Sequence, residues 1–116
     1  MMDKTKKITK ADAITEAWDD MGDGGVRAWN YKFTEEDKSI VRATLAGHHG
    51  WYMSGEKPYY YYIIDGEGVF ELEDGQKTHV SAGDSVEVPA GVKYDYYPVE
   101  GAKLDVVLFM QNMWEN

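Results

Sequence analysis

The sequence predicts an all-β domain, a sandwich or barrel built from many short strands. Three observations predict it. From Val26 onward, residues alternate with a period of two. Turn signals then recur every ~8–12 residues. Between them lies Tyr59-Tyr60-Tyr61-Tyr62-Ile63-Ile64, an aromatic and β-branched run that favours strand throughout.

The elements follow in order. Thr9-Lys10-Ala11-Asp12, continued by Ala13, Ile14, Ala17 and Trp18, predicts one short helix. Thr9 is its N-cap, and Asp12 sits near the positive end of its dipole. Gly22, Gly24 and Gly25 end it. Residues 1–25 thus form a helical or irregular extension that packs on the barrel or on a partner subunit. Residues 26–116 form the β-barrel of what is a single domain. Its first strand sets Arg27, Trp29, Tyr31 and Phe33 against Ala28, Asn30 and Lys32. Glu35-Glu36-Asp37 makes a turn, and Ser39 to Ala46 is a second run. Asp65-Gly66-Glu67-Gly68 is a turn, with Asp65 and Glu67 as turn residues. Asp74-Gly75 signals a type I′ hairpin, Ala82-Gly83-Asp84 and Pro89-Ala90-Gly91 further turns. Lys103 to Met110 is the last strand, and Trp114 in the tail packs on the barrel or across a dimer.

The 116 residues suit one domain with a real core. There are no cysteines, so neither disulfides nor thiolate metal sites arise. The net charge of −9 is the reverse of a nucleic-acid footprint and predicts no nucleic-acid partner. No stretch reaches the ~20 apolar residues of a membrane span. The charged start Met1-Met2-Asp3-Lys4 is unlike a signal peptide, and the expectation is a cytoplasmic protein.

Two stretches resemble the cupin superfamily of jelly-roll barrels (double-stranded β-helices). Tyr62-Ile63-Ile64-Asp65-Gly66-Glu67-Gly68 is similar to the strand and turn that close the first cupin motif. Gly83-Asp84-Ser85-Val86-Glu87-Val88-Pro89-Ala90-Gly91-Val92-Lys93-Tyr94 is similar to the second. The resemblance spans residues 26–110. It implies a metal site of three histidines and a glutamate, but this chain departs from the pattern at all four positions. The glutamate falls on Tyr59 and the last histidine on Tyr94. The His-x-His pair falls on Tyr52 and Ser54, or on Met53 and Gly55. One inward histidine from His48 and His49, with Glu56, is too few ligands for a transition metal. His79 lies on a strand away from the family's metal. The expectation is therefore no metal and no cofactor.

If Tyr59 faces the interior, strand alternation puts Tyr61 there too, and Tyr94 with Tyr96, with Tyr52 as a further candidate. This predicts a tyrosine-lined pocket for a small organic ligand, sugar-like or aromatic, or else a barrel plugged by rings. Tyr60, Tyr62 and Trp51 are packing or dimer-contact residues, and His79 is a solvated strand residue. Two functional classes stay open. One is a non-catalytic binding module. The other is a metal-independent sugar isomerase, epimerase or lyase with a histidine base, His49 or His48, and a tyrosine acid, Tyr94 or Tyr59. The resemblance and exposed strand edges also imply a homodimer.

Overall fold

The computed structural model describes residues 5–33 and 39–109. The expected turn at Glu35-Glu36-Asp37, the end of the last strand at Met110, and Trp114 lie outside them.

The described chain forms nine strands: β1 (Ile14–Trp18), β2 (Val26–Lys32), β3 (Ser39–Leu45), β4 (Tyr52–Met53), β5 (Tyr59–Leu72), β6 (Lys77–Ser81), β7 (Ser85–Val88), β8 (Lys93–Pro98) and β9 (Leu104–Phe109). They run antiparallel in the order β1-β2-β3-β9-β5-β8-β4, while β6 and β7 also pair with β5. The sheet curls into the all-β jelly-roll barrel that the sequence predicts.

The predicted helix is corrected. Thr9 does cap a turn: its Oγ1 accepts the Asp12 N–H at 3.3 Å and donates to Asp12 Oδ2 at 3.0 Å. The turn is a 3-10 helix of only three residues, Lys10–Asp12. Residues 14–18 then become β1, with Ile14 opposite Asn30 and Trp18 opposite Val26. A segment this short is a marginal helix on its own, and pairing along the whole of β1 with β2 satisfies its backbone instead. Along β2 the small residues face inward. Val26 and Ala28 are buried, whereas Trp29 lies beneath Lys10 Nζ and the Arg27 guanidinium, 4.7 and 5.7 Å from its ring centre.

The predicted turn at residues 65–68 is also corrected: β5 runs through it for 14 residues without a break. A bulge between Ile63 and Asp65 bends the strand. β5 pairs with β7 before the bulge and with β9 across it as far as Gly66, then with β6 and β8 from Glu67 and Gly68 onward. Gly66 sits at φ +91°, and a Cβ there would stand 1.8 Å from the Lys103 carbonyl oxygen. Asp65 and Glu67 are strand residues at the join of the two sheets. The hairpin after β5 has three residues, 73–75, not the two of a type I′ turn. Gly75 alone among them takes a positive φ, and Leu72 N–H donates to the Gln76 carbonyl at 2.9 Å.

The core lies between the two halves of β5. Tyr61, Ile63, Phe70, Val88, Leu104 and Val106 are all buried there.

Candidate functional site

At one mouth of the barrel the inner faces of five strands surround a cavity of about 430 Å³. Alternation on β1 sends Ile14, Glu16 and Trp18 to it; β2 contributes Ala28 and Asn30. Val41 of β3, Leu108 of β9 and Tyr59 of β5 complete the wall. The segment 49–52 closes the side with His49, Gly50, Trp51 and Tyr52. A larger recess of about 710 Å³ follows the end of the sheet where Trp18, Val26, Leu45 and Leu104 are neighbours. Among the described aromatic and histidine residues, only Trp18 lines it. His49, Trp51, Tyr52 and Tyr59 gather instead at the smaller cavity.

His49 is the best-held group in that wall. Its N–H donates to the Tyr96 carbonyl at 2.8 Å, and its own carbonyl accepts the Trp18 indole N–H at 2.6 Å. Its ring stacks on Tyr96 at 4.9 Å and meets Trp18 edge-on at 5.2 Å and Tyr52 at 5.9 Å. Nδ1 lies 2.8 Å from the Gly50 carbonyl. A carbonyl can only accept, so Nδ1 carries the proton and Nε2 keeps its lone pair. Burial pushes the imidazole below its ordinary value of 6.5, against the raising effects of the Gly50 carbonyl and of Asp95 and Asp20. His49 is thus a neutral base at neutral pH. A pH prediction follows. The unfolded chain takes up this proton at a higher pH than the folded one, so acidification below pH 6.5 favours unfolding at this residue. Relative to a His49→Gln variant, the wild type should lose stability as pH falls from 6.5 to the folded value. Parallel urea titrations at pH 7 and 5 with an unchanged gap would refute this.

His48 points away from the cavity, as neighbouring residues on an extended chain must. Its ring stacks on Tyr97 at 4.0 Å, and Nδ1 donates to Asp95 Oδ2 at 2.5 Å. Asp95 is only 1% exposed, and its Oδ1 accepts the Gly50 N–H at 2.9 Å. This carboxylate therefore ties the His48-His49-Gly50 segment to β8. It is invisible in sequence because 45 residues separate it from Gly50.

The predicted tyrosines divide into two groups. Tyr59 and Tyr52 line the cavity, Tyr59 nearly buried and Tyr52 about half exposed. Tyr61, Tyr94 and Tyr96 pack beneath it as part of the core and do not line it. The Tyr61 hydroxyl bonds that of Tyr94 at 2.5 Å and also engages Tyr96. Burial pushes all three phenols well up, so they remain protonated hydrogen-bonding groups. Tyr61→Phe should cost about 1–3 kcal/mol, because two buried hydroxyls lose their partner. The Tyr61→Phe/Tyr94→Phe pair should cost less than the sum of the single changes. Additive losses in urea would mean that the hydroxyls act independently.

Among the described residues no group of three or more histidines and carboxylates converges as a metal site needs. At the positions where the resemblance expects ligands, Tyr94 is a protonated phenol tied to Tyr61. The Ser54 hydroxyl donates to the Pro89 carbonyl at 2.7 Å and accepts the Val92 N–H at 3.0 Å. Such a donor set does not fit a divalent ion.

Sequence reasoning missed Trp18, Glu16, Asn30 and Trp51. The first two are alternate residues of Ile14-Thr15-Glu16-Ala17-Trp18, a signal that appears only when the segment is a strand. Trp51, expected as a packing or dimer residue, stands at the cavity mouth. Tyr62 is exposed, and Tyr60 bonds Glu87 on the outer face. His79 is exposed on β6, as expected.

A family model described as "Cupin domain" matches residues 47–110. Among solved structures, a predicted oxalate decarboxylase from Thermotoga maritima superposes with a TM-score of 0.70 at 21% identity, covering 90% of this chain and 99% of that one. The Streptomyces protein Pac13, a nucleoside dehydratase, in its form with uridine has a TM-score of 0.69 at 18% identity and covers 92% and 83%. The Drosophila melanogaster protein CENP-C bound to CAL1 has a TM-score of 0.71 at 14% identity and covers 88% and 82%. At these identities the likeness is one of fold. No curated protein matches the chain in sequence.

Proposed function

The chain belongs to the cupin family, and from that premise we propose that it binds a small organic molecule, sugar-like or aromatic, in the cavity at the barrel mouth. The fold hosts unrelated activities, so the site has to carry the argument. The single observation behind it is the wall itself. Trp18, Trp51, Tyr52 and Tyr59 offer ring faces around about 430 Å³, with a few polar groups between them. A ligand pocket needs that combination of apolar walls and sparse, placed polar atoms. The volume suits a nucleoside or a monosaccharide, and a structural neighbour of the same fold, Pac13, solved with uridine, supports the reading. No metal takes part in this proposal. A homodimer belongs to it, and light scattering at a molar mass of one chain would remove that part.

Titration of uridine and of neutral sugars, followed by tryptophan emission, tests the proposal. A saturable change that Tyr59→Ala weakens by at least about tenfold, about 1.4 kcal/mol, supports it. Saturable binding that is unchanged by Tyr59→Ala and by Trp18→Phe would place the ligand elsewhere.

One observation favours a second proposal, a metal-independent lyase. His49 presents a neutral Nε2 that makes no hydrogen bond among the described residues, in a wall that also holds phenols. In an elimination of water, Nε2 would take a proton from carbon and the C–H electrons would form the double bond. The departing hydroxyl would receive a proton from Tyr59 or Tyr52. Tyr94 is not placed for this role, since its hydroxyl is held by Tyr61 beneath the cavity. His49→Gln should abolish turnover and leave binding within about threefold, and equal loss of both would favour binding alone.

A further inference from the structure

The charge pattern of the cavity narrows the ligand further. We infer that the site takes uncharged or cationic molecules rich in hydroxyl or amino donors, and rejects phosphorylated and carboxylate-bearing ones. The inference rests on that cavity being the ligand site, and specifies which ligands enter it.

Two carboxylates, Glu16 and Asp20, stand in the lining, and among the described residues no lysine or arginine does. The cause is strand alternation. On β2, Arg27 is exposed opposite the buried Ala28, and it shares Trp29 with Lys10. On β3, Arg42 alternates with the cavity-lining Val41 and pairs with Asp105. Arg27 and Arg42 are thus turned to the other face of the sheet, while Lys32, of the same parity as Ala28 and Asn30, is exposed at the end of β2 and outside the lining. Two backbone donors of the 49–52 segment are committed as well. The Gly50 N–H is taken by Asp95 and the His49 N–H by the Tyr96 carbonyl. Consecutive amides of these two residues are thus not left to cradle an anion.

Acceptors, in contrast, await partners. Asn30 Oδ1 is buried without a hydrogen bond among the described residues, on the inner face of β2 and in the cavity wall. His49 Nε2 is a second acceptor, with the Asp20 carboxylate near it. A buried acceptor left unpaired is costly, and a ligand hydroxyl or amino group would relieve it. A phosphate would instead bring more acceptors and two negative charges against Glu16 and Asp20, in a partly enclosed space where screening is weak.

Anion exclusion can be measured without an identified ligand. In a Trp29→Phe/Trp114→Phe background the remaining tryptophans, Trp18 and Trp51, both line the cavity. Quenching by neutral acrylamide and by anionic iodide is compared, each normalised to free N-acetyltryptophanamide. Iodide should quench at least about threefold less well than acrylamide. Adding Glu16→Gln with Asp20→Asn should raise the iodide value about threefold and leave acrylamide unchanged. Equal normalised quenching in the parent, or an iodide value unmoved by neutralisation, overturns the inference while leaving the cavity free to bind a ligand of either charge. Should the double tryptophan variant not fold, the same comparison on the unsubstituted protein, before and after neutralisation, reads the same change at lower amplitude. Uridine 5′-monophosphate binding as tightly as uridine would overturn it too.

Discussion

Asp95→Ala should destabilise the fold by about 3 kcal/mol and loosen the wall that carries His49. The loss comes from two donors at once. The buried Gly50 N–H loses its acceptor at 2.9 Å, and His48 Nδ1 loses the carboxylate that holds it. A cavity the size of the carboxylate adds to the cost. Gly50 has φ +96°, a conformation few other residues adopt, so the segment has little means of finding another arrangement. Ligand affinity should fall in the same variant, because the His49 backbone is tethered through this segment. Urea denaturation measures the first effect at constant slope. A loss below about 1 kcal/mol would show that water or His48 alone can replace the carboxylate.

Gly66→Ala should cost at least about 3 kcal/mol, and its comparison with Gly75→Ala isolates the reason. Both glycines sit near φ +90°, at +91° and +96°. Both substitutions therefore carry the same backbone strain, about 1–2 kcal/mol. They differ in surroundings. A Cβ at Gly75 meets nothing within 4 Å, whereas one at Gly66 lies 1.8 Å from the Lys103 carbonyl oxygen. That oxygen belongs to the chain entering β9, the strand that pairs with β5 across the bulge as far as Gly66. Relief requires moving the two strands apart where the sheets join. Equal denaturation midpoints for the two variants would remove close strand approach as the role of Gly66.

Much of the fold was legible because period-two alternation is a local property. The runs at residues 26–33, 39–46 and 103–109 announced β2, β3 and β9, and the glycines after Ala82 and Ala90 announced turns. Gly66 was harder to interpret. A glycine of positive φ marks a turn or a bulge equally well. Only the pairing of residues 60–66 with β9, and of residues 67–71 with β6, distinguishes the two. Residues 14–18 are ambiguous for a similar reason, since their helix and strand tendencies are close and pairing with β2 decides between them.

The candidate site was half legible. Alternation correctly put Tyr59, Tyr61, Tyr94 and Tyr96 on the interior, because a side chain's face follows from its parity along the strand. Depth along the barrel has no such local signature. It took the register of β1, β2 and β8 to place Tyr59 at the mouth and the other three rings below it.

By itself, then, the chain's order of residues determined an all-β barrel, an interior rich in phenols and four departures from the metal-binding pattern. The tertiary structure decided that the open cavity lies above that phenol cluster, walled by β1 and the 49–52 segment. It also decided that His49 keeps an unprotonated Nε2 there, while Asp95 secures the segment from behind. The physical reason is range. Strand identity and facing are set by neighbours one or two residues away, whereas a cavity, a tautomer and a buried carboxylate's partners are set by groups brought together from tens of residues apart.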